Sequence, residues 1–249
     1  MTTPPDILVE IVEESPMWLP RLRANAADPE KDRDGCCSCT VQGRLQAYGV
    51  ARYVIHNDKA VLLESLRESA SIMLRLFERF EAAEPIARSL VGLLSYKQLY
   101  DALASGDLEM ARRLAGHMGR DEEWERKHNH PYDVAFGYCT RDFVLNLREQ
   151  WPARVEALAA QCEKTSRSFR GYARVFEAIQ EGDSRKANAG FVELLKGHRR
   201  LCKGNGVLRQ SVYEDMCIWG LGLANLAGSY GLDMQIEDPL IPSELIIKS

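Results

Sequence analysis

Tyr96-Lys97-Gln98-Leu99-Tyr100-Asp101-Ala102-Leu103-Ala104-Ser105-Gly106-Asp107 returns 76 positions later as Tyr172-Ala173-Arg174-Val175-Phe176-Glu177-Ala178-Ile179-Gln180-Glu181-Gly182-Asp183. In the first copy Tyr96, Leu99, Tyr100 and Leu103 follow at three- and four-residue steps, which is one stripe of an α-helix. Tyr172, Val175, Phe176 and Ile179 make the same stripe in the second. The Gly-Asp pair then predicts a joint. Glycine takes a left-handed conformation at little cost and closes one helix. Aspartate accepts from the free N–H groups that open the next, where its charge suits the positive helix end. Ala111 and Ala187 correspond beyond the joint. Each copy therefore reads helix, Gly-Asp, helix, with hairpins near 96–118 and 172–202. Each stripe is expected to pack on the partner helix of its own hairpin.

The same period runs outward from the repeat. Between Lys59 and Ala83, Val61, Leu62, Leu66, Ile72, Met73, Leu76, Phe77 and Phe80 share one face, and Arg67, Glu68, Arg75, Glu78 and Arg79 take the other. Further helices are predicted at about 41–55, 86–105, 108–118, 132–149, 152–164, 167–181, 184–202 and 211–230. No segment shows the period-two alternation of a strand. The fold class is all-α, with stacked antiparallel hairpins in the manner of tetratricopeptide-like arrays. Residues 40–249 form a single helical domain. Residues 1–39, punctuated by Pro4, Pro5, Pro16, Pro20 and Pro29, read as an irregular N-terminal arm with a short element at 7–14. Near the other end, Gly220, Ala224 and Gly228 recur every four residues and give a smooth helix face. The tail Asp238-Pro239-Leu240-Ile241-Pro242-Ser243-Glu244-Leu245 is too apolar to hang free and is expected to dock.

Composition narrows the function. The 249 residues are 45% hydrophobic and 27% charged, with a net charge of -4. That is globular composition without a built-in attraction for nucleic acid or an anionic membrane. The N-terminus lacks a basic region followed by an apolar one. The most apolar stretch, Met216–Ala227, is too short for a bilayer and is broken by Gly220, Gly222 and Asn225. Seven cysteines, an odd number, suit reduced thiols better than a disulfide framework. A cytoplasmic location is the expectation.

No catalytic constellation, cofactor or metal set is predicted. Cys36, Cys37 and Cys39 form half of a zinc pattern without a second Cys-x-x-Cys, and read as free thiols in a flexible arm. His128 and His130, two apart with Asp133 nearby, point to different faces of any helix and read as a cap or surface contact. His117 and His198 suit helix ends. Lys203-Gly204-Asn205-Gly206 follows no strand and reads as a helix stop rather than a phosphate loop. Cys139 and Cys162 sit among apolar residues as core thiols. One stretch points to a partner. Asp121, Glu122, Glu123, Trp124 and Glu125 place a hot-spot residue type among carboxylates that would steer a basic protein. The competing reading is a helix start whose Trp124 packs inward.

The hairpins at 96–111 and 172–187 and the ending from Trp219 to Leu245 carry a resemblance. That ending reads Trp-Gly-Leu-Gly-Leu-Ala-Asn-Leu-Ala, then Gly231, Asp238-Pro239, Ile241-Pro242 and Leu245. It resembles bacterial immunity proteins of polymorphic toxin systems, most closely the immunity protein 49 family. The resemblance covers about residues 90–245. It implies a helical, non-catalytic protein that binds and neutralises a cognate toxin domain, and it supplies no fixed binding residues. Two alternatives are a helical scaffold holding a peptide in an open concave groove, and a helical enzyme with a pocket of His128, His130, Asp133 and cysteines.

Overall fold

The computed structural model describes residues 5–165 and 167–247. Among these residues there are eleven α-helices and no strand, only an isolated bridge between Asp238 and Ile241. The helices are α1 (Pro5–Ala27), α2 (Cys36–His56), α3 (Lys59–Glu81), α4 (Tyr96–Ala104), α5 (Leu108–His117), α6 (Glu122–His128), α7 (Pro131–Val144), α8 (Trp151–Lys164), α9 (Arg170–Glu181), α10 (Ser184–Leu201) and α11 (Ile218–Ser229). No described helix is long and apolar enough to cross a membrane.

The joints form as their chemistry dictates. Gly106 and Gly182 sit at φ +81° and +69°. Asp107 accepts from the Met110 amide at 2.9 Å and Asp183 from the Lys186 amide at 2.9 Å. Asp58 and Asp121 cap α3 and α6 in the same way. The two hairpins are α4–α5 and α9–α10.

Their stripes also meet each other, beyond the packing of each hairpin. Phe136 of α7 receives both copies: Tyr96 at 5.0 Å and Tyr100 at 5.6 Å between ring centroids from the first, Tyr172 at 5.1 Å and Phe176 at 6.4 Å from the second. Trp219 of α11 adds a contact to Tyr96 at 5.6 Å. The repeat thus builds one shared aromatic core around α7 in addition to the α4–α5 and α9–α10 hairpin seams, where Val175 lies against Gly190 of α10 as expected. Edge-on and offset ring pairs of this kind add about 0.5–1.5 kcal/mol each beyond area burial.

Every residue from Ile218 to Gly228 in α11 is buried, which is why this helix is apolar all round. Its closest approach to α4 is at Gly222, where a Cβ would lie 2.9 Å from the Tyr100 carbonyl and 3.0 Å from Leu103. Gly220 instead faces Ile241 of the tail and Leu194 of α10. The tail docks: Ile241 is fully buried, Leu240 accepts from the Cys217 amide at 2.8 Å, and Arg199 pairs with Asp238 at 2.6 Å. Asn225 links three parts. Its Nδ2 donates to the Leu103 carbonyl at the end of α4, and its Oδ1 accepts from the Ile247 amide, each at 2.9 Å.

The N-terminal arm needs correction. Residues 5–27 are one helix, α1, laid on α2, and the following turn leads straight into α2. Pro16 and Pro20 lie inside α1 on exposed positions, away from the face that packs on α2. The buried positions Leu8, Ser15 and Leu19 keep a helical stripe, and Leu19 joins Val41, Leu45 and Ile72 in a small second core. The prolines masked that stripe. The charged stretch after α1 is anchored too. Asp32 is fully buried, accepts from the Ser38 amide and hydroxyl, and pairs with Arg79 at 2.6 Å. Cys36, Cys37 and Cys39 open α2 rather than riding on a flexible arm. All seven cysteines are free thiols. The segment 86–95, read as part of one helix, is instead two 3-10 turns after Pro85, and 122–128 forms a helix that the periodicity did not reveal.

Two exposed helix glycines have no such task. A Cβ on Gly43 of α2 or Gly116 of α5 meets nothing within 4 Å. Alanine at either is expected to raise stability by about 0.5–1 kcal/mol, read from a chemical denaturation midpoint.

Candidate binding surface

The acidic stretch at 121–125 divides between surface and interior. Asp121 caps α6 through the Trp124 amide at 3.0 Å and pairs with Arg88. Those two interactions, the amide first, hold its carboxyl below the usual range. Glu122 bonds Arg126 at 3.0 Å, lies 3.6 Å from Arg154, and is likewise lowered, chiefly by Arg126. Glu123 is exposed and has no ion-pair partner among the described residues.

Trp124 is half-buried. Its ring stacks on His128 at 4.4 Å, and the Arg88 guanidinium lies over it at 4.6 Å. The indole is therefore held in place and remains partly exposed. Glu125 has the opposite fate. It is buried, accepts from the Leu93 amide at 2.8 Å and from Asn129, and burial raises its carboxyl pKa. Gly92 makes room for it, since a Cβ there would lie 2.9 Å from Oε1. Glu125 ties α6 to the turn at 92–95 and is no part of a contact surface. Its partner Leu93 is 32 residues away, so no local signal in the sequence separates it from its exposed neighbours.

Next to this corner lies a hollow of about 230 Å³ between α7 and α8, lined by Arg126, Tyr138, Arg154, Ala157 and Ala160. Arg154 sits 4.5 Å above the Tyr138 ring and pairs with buried Asp142 at 2.8 Å. Ala160 also lines a larger groove of about 580 Å³ between α8 and α9. Val155, Ala159 and Ala173 form its floor, and Glu156 and Glu177 stand on its rim without ion-pair partners among the described residues. The hollow and the groove thus adjoin at Ala160, and Arg126 of α6 borders the hollow.

The candidate ligand groups do not converge. His130 caps α7, with Nδ1 accepting from the Tyr132 amide at 3.2 Å, and Asp133 accepts from the Tyr96 hydroxyl at 2.8 Å. His128 is stacked on Trp124. His117 bonds Glu81 at 2.6 Å, and His198 bonds the Tyr213 carbonyl at 2.6 Å. Among the described residues no three His, Cys, Asp or Glu side chains could jointly hold a metal ion. Lys203–Gly206 is a helix stop and turn, with Gly204 at φ +57°. Cys139 and Cys162 are core thiols.

One buried carboxyl has unusual surroundings. Asp101 of α4 is fully buried and is in no ion pair among the described residues. Its Oδ2 accepts from Gln46 Nε2 at 2.6 Å and Ser69 Oγ at 2.7 Å, while Oδ1 has no hydrogen-bond partner. The Tyr213 hydroxyl closes the cluster on Gln46 at 3.4 Å. Burial pushes the Asp101 pKa up to about 7. Asp101 lines none of the hollows described above.

No family model, curated protein or solved structure matches the chain.

Proposed function

We propose that this protein is an immunity protein, which binds a cognate bacterial toxin domain and neutralises it by protein–protein contact in the bacterial cytoplasm. The observation that carries the reading is the α6 corner. Trp124 is clamped between His128 and Arg88 with carboxylates around it. An aromatic held rigid before binding loses little entropy on docking, and Trp and Arg are the residue types that dominate interface energetics. Exposed Glu123, Glu156 and Glu177 would steer a basic partner. The sequence resemblance to immunity families supports the same reading. An open peptide scaffold is less well supported, because the docked tail closes the α10–α11 side.

The test is calorimetric titration of the purified protein with the toxin domain encoded beside its gene. Tight binding is expected, and Trp124→Ala should weaken it by about 30-fold, the effect of losing a 2 kcal/mol anchor. Unchanged affinity in Trp124→Ala would remove the α6 corner from the interface. No binding by the unaltered protein would remove the proposal.

A further inference from the structure

The repeat says what kind of object fits the α8–α9 groove. Position 101 of α4 and position 177 of α9 are equivalent, 76 residues apart, and each lies next to the aromatic stripe of its copy. Each repeat helix also has a preceding helix packed along it: α3 beside α4, and α8 beside α9. In the first copy the seam between these two helices is covered. Gln46 of α2 and Ser69 of α3 both reach Asp101, and Tyr213 reaches Gln46, so position 101 is fully buried. In the second copy the seam is bare. Glu177 is exposed on the rim, and Ala159 and Ala160 leave α8 smooth at exposed positions. The groove of about 580 Å³ opens along the α8–α9 seam, with Glu177 in its lining.

Charge distinguishes the two seams. Asp101 is bonded by neutral donors in a closed site, whereas Glu156 and Glu177 both line an open one and neither is in an ion pair among the described residues. Glu163, Arg170, Arg174 and Glu181 on the same rim are already engaged, with Arg170 on Glu163, Glu193 on Arg174 and Lys186 on Glu181. The missing complement is a helix with a small apolar face for the alanine floor and Lys or Arg for the two free carboxylates.

We infer that the α8–α9 groove docks an amphipathic basic helix of the partner protein along the seam of α8 and α9. The inference rests on the immunity reading and names the element of the toxin domain that this face holds. The geometry is helix-in-groove, in which apolar anchors give affinity and the rim charges fix register and speed association.

Two variants test it with the toxin domain encoded beside the gene, by calorimetry at low and high salt. Ala159→Arg fills the floor, and Glu156→Lys with Glu177→Lys reverses the rim. All three residues are exposed, and thermal unfolding of each variant serves as the folding control. Each variant is expected to bind at least about 10-fold more weakly, and the salt dependence of the unaltered protein should shrink in the charge-reversed one. If both variants bind as the unaltered protein does, the groove inference is overturned while the immunity reading stands. If the unaltered protein itself does not bind, both fall together.

Discussion

Replacing Gly171 with alanine is expected to destabilise the protein by about 3 kcal/mol or more, which lowers Tm by roughly 6–12 °C for a chain of this size. Gly171 opens α9 where α10 crosses it. A Cβ at that position would lie 2.1 Å from the Leu194 amide nitrogen and 2.4 Å from its Cα. These are backbone atoms, so no rotamer change relieves the overlap; the two helices must separate. Separation would lift Leu194 and Phe191 from a core in which both are buried. Gly197 repeats the arrangement, with a Cβ 1.8 Å from the Ser168 carbonyl oxygen. The check is thermal unfolding of Gly171→Ala beside Gly43→Ala, which adds the same methyl group in open space. A Gly171→Ala protein as stable as the original would mean that α9 and α10 do not cross this closely.

The second large effect is a pH dependence centred on Asp101. Its folded pKa of about 7 lies above the ordinary value of 3.8 because burial penalises the carboxylate. Between about pH 4 and pH 7 the folded protein therefore holds a proton that the unfolded chain has released. Stability contributed by this group is highest at the acid end, falls as pH rises through that window, and levels off above it. A shift of this size corresponds to about 4 kcal/mol. Asp101→Asn keeps an oxygen to accept from Gln46 and Ser69 and carries no charge. The variant is expected to match the unaltered protein near pH 4 and to exceed it by about 4 kcal/mol at pH 8. Denaturant unfolding of both proteins across that range measures the difference, which cancels the contributions of other groups. Parallel pH profiles would show that Asp101 is ionised at little cost, contrary to its sealed surroundings.

Local chemistry made much of this fold legible. The Gly-Asp joints were readable because one residue closes a helix and the next opens another without help from distant parts of the chain. The docked tail was readable because an exposed Leu-Ile-Pro segment has no physical reason to remain exposed. What stayed hidden depends on long-range contacts. The convergence of both stripes on Phe136 needs α7 to lie between two segments that the sequence separates. The helix α1 was hidden by Pro16 and Pro20, each of which removes a helix hydrogen bond and so reads locally as a break, while the buried stripe that holds α1 on α2 depends on distant residues. The acidic stretch was read as one unit, yet Glu125 turns inward to an amide 32 residues away. Asp101 looked like an ordinary helix residue, and only the cover of α2 and Tyr213 makes it a buried carboxyl. The groove at Glu177 was likewise unreadable, since it depends on how α8 packs against α9.

The most direct measurement of the central claim is growth rescue. The toxin domain encoded by the adjacent gene is induced in a bacterial host, alone and together with this protein. The expected result is arrest by the toxin domain alone and restored growth on co-expression, with a complex of the two recovered from the rescued cells. A toxin domain that still arrests growth beside abundant, folded immunity candidate, or a neighbour that is harmless by itself, would contradict the account.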